Sequence, residues 1–150
     1  MEANRFLLFY QSFERVVKDI KKKEMSYMSE YGLRSVHMRC LLVIEQSEKG
    51  MTITQLAKAT GTDKALISRV VKELTNDGFL ETKTAGEDKS YNKKYYLTEK
   101  SAKIASDINE DIGIYMAQAR IGIPEGDMQR FYETLFRLSQ NISVIADSEE

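Results

Sequence analysis

Ile53-Thr54-Gln55-Leu56-Ala57, followed by Lys64-Ala65-Leu66-Ile67-Ser68-Arg69-Val70-Val71-Lys72-Glu73-Leu74, decides how the rest of the chain is read. In the second run Ile67, Val70, Val71 and Leu74 fall at i, i+3, i+4 and i+7, the spacing of one buried helix face. Lys64, Ala65, Ser68, Arg69 and Lys72 are then left on the opposite side. Gly61 separates this helix from a shorter one with Leu56 and Ala57 inside, and Thr62 or Asp63 is placed to cap it. Met51-Thr52-Ile53-Thr54 reads as a short β-like approach to the shorter helix, with Thr54 as its N-cap.

Downstream, Asn76-Asp77-Gly78 ends the second helix. Residues 79–84 alternate as a strand should, and residues 94–98 can return beside them. The stretch between is polar and turn-rich, which predicts a β-hairpin with a long exposed tip. Upstream, residues 5 to about 25 predict a helix, with Phe6, Phe9, Tyr10, Phe13, Val16, Val17 and Ile20 at three- and four-residue steps. Gly32 breaks it. Ser35 caps, or lies in the first turn of, a second apolar helix through Met38, Leu41, Leu42 and Ile44, ending near Gly50. Beyond the hairpin, Thr98 caps a long helix striped by Ile104, Ala105, Ile108, Ile112, Tyr115, Met116 and Ala119. Gly122 stops it, and Pro124 opens a last helix with Met128, Phe131, Tyr132, Leu135, Leu138, Ile142 and Ile145 on one face.

These elements make an α+β, mainly α fold of one domain over residues 1–150. Within about 51–98, two short helices followed by a two-stranded hairpin give the order of a winged helix-turn-helix. Flanking helices occupy about 5–30 and 104–146. A single proline among 150 residues suits so helical a chain.

Composition narrows the function. One cysteine excludes an intrachain disulfide, and one cysteine with one histidine cannot close a structural zinc site. The apolar runs are too short for a membrane span and the start has no signal-peptide layout, so the expected location is the cytoplasm. No Gly-rich phosphate loop, nucleophile motif or His/Asp/Glu cluster accompanies the carboxylates, so neither an enzyme nor a cofactor is expected. A net charge of −1 means that affinity for nucleic acid must come from a local surface. Between residues 58 and 100 there are nine cationic and seven acidic side chains, a local balance of only +2. Charge alone would describe a solvated face. Element order and the small residues on the bare side of the second helix point instead to DNA.

Donors beside small residues at that spacing suit a helix entering a major groove. Arg69 could pair bidentately with guanine or hold a phosphate, and Lys64 and Ser68 could do either more weakly. Thr54, Gln55, Lys64, Ala65, Ser68, Arg69 and Lys72 are therefore the candidate contacts from the helices. Lys89, Ser90, Tyr91, Asn92, Lys93 and Lys94 are those from the hairpin. The alternative is a winged-helix module that docks proteins through its wing without specific DNA binding.

The two runs quoted above, with Asp77-Gly78-Phe79-Leu80-Glu81 and Leu97-Thr98-Glu99-Lys100, resemble the MarR (multiple antibiotic resistance regulator) family. The resemblance extends in order and spacing to the flanking helices. It implies a homodimeric transcription factor, usually a repressor, bound to an inverted-repeat operator of double-stranded DNA and released by a small aromatic or acidic effector. It also implies a dimer interface built from both ends of the chain: Phe6, Phe9, Tyr10 and Phe13 with Met128, Phe131, Leu135, Leu138, Ile142 and Ile145. Wings of the family commonly carry Asp-x-Arg; here the stretch is Asp88-Lys89-Ser90, and lysine, lacking the planar fork, suits phosphate better than minor-groove insertion. Ser101 stands where the family usually has glycine, a change of little consequence if Thr98 is already the cap.

Three further residues carry alternatives. Cys40 reads as a buried structural thiol, although relatives of the resembled family sense oxidants through cysteine. His37 either makes a structural hydrogen bond at a helix start or joins Arg39, Met28 and Tyr115 in an effector pocket. Methionines such as Met28 suit an adaptable pocket and equally a core.

Overall fold

Each helix boundary has a local chemical cause. The computed structural model describes residues 2–83 and 93–148. Helix α1 (Glu2–Tyr31) runs past the expected end near residue 25 because nothing interrupts it until Gly32, whose φ of +67° closes the helix. Helix α2 (Ser35–Glu45) stops short of Gly50: Gln46 is its C-cap and a turn intervenes, with the Ser47 amide donating to the Ile44 carbonyl.

Thr52, not Thr54, caps α3 (Ile53–Thr60). Its hydroxyl accepts from the Gln55 amide at 3.2 Å, and the Gln55 side-chain oxygen accepts from the Thr52 amide at 2.9 Å. This reciprocal pair satisfies two donors that a cap at Thr54 would leave open. Gly61, at φ +61°, closes α3. Helix α4 (Lys64–Asn76) begins where the Asp63 carboxylate accepts the Leu66 amide at 3.1 Å.

Among the described residues, the paired strands are shorter than the sequence suggested. Strands β1 (Leu80–Glu81) and β2 (Tyr96–Leu97) pair antiparallel, Leu80 opposite Leu97 and Glu81 opposite Tyr96. Of the β-like approach only Met51 pairs, exchanging two backbone hydrogen bonds with Tyr95. Gly50 makes that approach possible. Its φ is +66°, and a Cβ there would lie 2.7 Å from the Tyr96 ring and 2.9 Å from the Tyr95 carbonyl oxygen.

Helices α5 (Glu99–Ala119) and α6 (Glu125–Ser148) complete the order, with Pro124 just ahead of α6 and its carbonyl accepting the Met128 amide. Thr98 and Ser101 form the first turn of α5: the Thr98 amide donates to the Ser101 hydroxyl and the Ser101 amide to the Thr98 hydroxyl. Ser101 is far from inconsequential. It is fully buried, and its hydroxyl donates to the Phe79 carbonyl at the head of the wing.

The chain forms two compact units, Met1–Glu110 and Asp111–Glu150. In the first, Leu41, Ile44, Leu56, Ile67, Val70, Val71, Leu74, Leu80, Ala105 and Ile108 are the buried core, including all four residues expected on the inner face of α4. Burying a side chain of this kind contributes roughly 1.5–3 kcal/mol. Outside this core the apolar surface is large. On α1, Phe6, Leu7, Leu8, Phe9, Tyr10 and Phe13 are all exposed; on α6, Phe131, Tyr132, Phe136, Leu138, Ile142, Val144 and Ile145 are. Met128, expected among the interface residues, is only 8% exposed and offers a partner little surface. Its position in the first turn of α6, before the exposed run begins, accounts for the difference.

Candidate nucleic-acid interface

Because Ile67, Val70, Val71 and Leu74 are held inward, α4 turns Lys64, Ala65, Ser68, Arg69 and Lys72 to solvent. Among the described residues, no hydrogen bond or ion pair engages Lys64, Ser68, Arg69 or Lys72. The Asp63 carboxylate takes one amide of the first turn, and the remaining amides add the partial positive charge of a helix N-terminus.

Thr54 and Gln55 are exposed on α3. Gln55 spends its side-chain oxygen on the α3 cap, so its amide nitrogen remains as a donor. A groove of about 540 Å³ joins these elements, lined by Ile53 and Thr54 of α3, Asp63, Lys64, Ala65 and Ser68 at the head of α4, and Lys93 and Tyr95 at the foot of the wing. The sequence-derived contacts Thr54, Lys64, Ala65, Ser68 and Lys93 thus share one concave surface. Arg69 and Lys72 continue the exposed face of α4 beyond it, and Lys94 is exposed nearby in the chain.

Tyr95 was not among the expected contacts. Its strand-like context concealed it, and only the Met51 bridge brings it to the groove. Burial pushes its phenol up from the ordinary tyrosine range, so the hydroxyl stays a neutral donor and acceptor. The Lys93 ammonium lies 5.7 Å from the Tyr95 ring centroid, a loose cation–π contact that leaves its charge to the groove. Other cations are more committed: Lys83 stands 4.5 Å from the Tyr96 ring centroid and Lys100 4.2 Å from that of Phe79. The wing contacts Lys89, Ser90, Tyr91 and Asn92 lie outside the described residues.

The residues expected around an effector are engaged in different ways. His37 is buried, with the Arg34 backbone amide donating to its Nδ1 at 3.2 Å and its Nε2 2.8 Å from a Glu73 carboxylate oxygen. Both ring nitrogens are therefore spent on the protein. Arg39 points to solvent, Met28 is half-buried on α1, and Tyr115 belongs to the other compact unit. Cys40 is 0% exposed, and burial pushes its thiol up to about 11, against the thiolate character that oxidant sensing needs. Among the described residues no group of three or more His, Cys, Asp or Glu could hold a metal, and no helix is long and apolar enough to cross a membrane.

The comparison with known proteins meets this geometry directly. The MarR family model matches residues 31–89, which run from the end of α1 through α4 into the wing. Residues 31–89 belong to the MarR family. The HTH-type transcriptional regulator PetP of Rhodobacter capsulatus is 31% identical over 90 residues, 60% of this chain and 52% of PetP. The chain thus spans about half the length of that relative. A MarR/EmrR family transcriptional regulator from Acinetobacter sp. ADP1 superposes with a TM-score of 0.73 at 20% identity, over 90% of this chain and 94% of its own. MepR of S. aureus, in its complex with DNA, superposes with a TM-score of 0.74 at 13% identity, over 89% and 97%. These likenesses show a MarR winged-helix fold over most of the chain. The family and the matched proteins are transcriptional regulators, not enzymes.

Proposed function

We propose that this protein is a DNA-binding transcriptional regulator that reads duplex DNA with α4 and straddles the flanking backbone with its wing. The observation that carries this reading is the row Lys64, Ser68, Arg69 and Lys72, which no described residue engages, beside the groove that reaches Lys93. Cations and small side chains on one exposed helix face suit base edges and phosphates together. The MarR-family match over 31–89 and the likeness to a regulator held in a DNA complex support the same reading.

The protein acts as a homodimer on an inverted-repeat operator, and its usual effect is repression. Support comes from the exposed aromatic surface. Phe6, Phe9, Tyr10 and Phe13 on α1, and Phe131, Leu138, Ile142 and Ile145 on α6, form apolar stripes larger than a monomer ordinarily leaves in water. A two-fold pair presents two copies of α4, so half-sites lie about one helical turn apart. Release by a small effector requires a ligand that binds one spacing of the two reading heads more tightly than the other.

The test is selection of genomic fragments by the purified protein, with sedimentation of the free protein and the complex. Expected are recovered fragments sharing an inverted repeat and two chains per bound duplex. Enrichment of no duplex, or a single chain on the DNA, contradicts the reading.

A further inference from the structure

The N-terminus of α2 is fastened to the DNA-facing helix by a cluster that DNA recognition, as described so far, does not use. Glu73 follows Lys72 on α4 and lies one helical turn beyond Arg69. Its carboxylate oxygen receives both His37 Nε2, at 2.8 Å, and the Arg34 guanidinium. The Arg34 backbone amide donates to His37 Nδ1, which must therefore be unprotonated, so Nε2 carries the hydrogen that Glu73 accepts. Those two bonds fix the tautomer, and the close approach of the Arg34 guanidinium to Nε2 is two donors converging on one carboxylate. From the other side, the Ser35 hydroxyl donates to Glu24 of α1 at 2.9 Å. Arg34, Ser35 and His37 thus bind α1 and α4 to one helix start.

We infer that Glu73, held through His37 and Arg34, is a positioning residue that sets the roll of α4 for base reading; the inference rests on the DNA-binding reading above. The apolar face of α4 resists being pulled from the core but only weakly resists rotation about its own axis. At a side-chain radius of roughly 5–6 Å, a roll of about 20° moves the tips of Ser68 and Arg69 by about 2 Å. That is more than a hydrogen bond to a base edge tolerates. A polar tie at the rim of the helix stops such a roll where packing does not. The same tie keeps a carboxylate beside Arg69 and Lys72 neutralised, so it does not repel the DNA backbone.

Two substitutions at one position separate positioning from plain stability. His37→Asn puts an acceptor where Nδ1 was and keeps the helix-start bond, but its amide falls short of Glu73. His37→Gln carries a donor nitrogen as far as Nε2 and keeps the Glu73 bond. The probes are the tightest duplex that the full chain selects from a random pool, and a scrambled duplex of equal length. His37→Asn should lower affinity for the selected duplex about tenfold while leaving the scrambled one almost unchanged. His37→Gln should stay close to the wild type, and Glu73→Ala, which also removes the Arg34 contact, should lose at least as much as His37→Asn, with no loss beyond its own when the two are combined. Thermal unfolding of each variant checks that both fold. If Asn and Gln bind the selected duplex alike, or if the specific-to-scrambled ratio follows thermal stability, the positioning role is overturned. If the wild type itself prefers no duplex, the DNA reading fails and the positioning role with it.

Discussion

The Ser101 hydroxyl donates to the Phe79 carbonyl at 2.5 Å, fully buried, across 22 residues of sequence. The same oxygen accepts the Thr98 amide, and the Thr98 hydroxyl donates to the Gly78 carbonyl at 2.8 Å. The first turn of α5 is therefore the clamp on the turn that leads from α4 into the wing. Where these bonds hold, the wing foot and the end of α4 move together.

Ser101→Ala takes a buried donor from the Phe79 carbonyl and an acceptor from the Thr98 amide, leaving these two only their long 3.4 Å bond to each other. The cost should be about 1–3 kcal/mol, read as a lower urea midpoint with an unchanged m-value. An unaltered midpoint would show that water replaces the hydroxyl.

Gly50→Ala should be at least as harmful. A side chain there must adopt a positive φ and displace the Tyr96 ring and the Tyr95 carbonyl. The backbone strain alone is of order 1–3 kcal/mol. Amide exchange should quicken at Met51 and Tyr95, the two partners of the bridge.

How much of this was legible beforehand depends on the range of the interactions involved. Helix α4 was readable to its ends, because the Asp63 cap, the inward row from Ile67 to Leu74 and the Asn76-Asp77-Gly78 stop are all local signals. The true cap of α3 was also present in the sequence, as Thr52 three residues before Gln55, but a second threonine at 54 drew the boundary inward. The exposed row on α4 was legible from the inward face opposite it; the place of Tyr95 was not, since it depends on a bridge to Met51. His37 and Glu73 stand 36 residues apart, and no periodicity announces their contact. On α1 a stripe was expected, whereas Leu7 and Leu8 make the exposed apolar surface nearly continuous around the helix.

Cys40 should resist thiol reagents in the folded protein. Burial holds its thiol near 11, against 9.0 ordinarily, so almost no thiolate forms at neutral pH. Ellman's reagent should react slowly in buffer and quickly in denaturant. Because the folded value is the raised one, the thiol's contribution to stability is complete below the ordinary value and fades as pH rises through the folded one. Rapid native labelling would reopen a redox role.

Glu73 gives the opposite sign. The hydrogen bond from His37, with that from Arg34, holds its carboxyl below the ordinary range despite some desolvation. Its contribution to stability is therefore complete above the ordinary carboxylate range and lost as pH falls through the depressed folded value. Wild type should be more stable than Glu73→Gln at neutral pH, and the difference should shrink on acidification. A difference that persists in acid would contradict the ionic part of the contact.

The most direct test is a salt titration of wild type and Arg69→Ala on the tightest selected duplex. Wild-type affinity should fall steeply as salt rises, through counterion release. The substitution should cost about 1–3 kcal/mol at fixed salt if Arg69 reads a base pair. Binding that ignores salt, or that Arg69→Ala leaves intact on every duplex tried, would contradict recognition through the exposed face of α4.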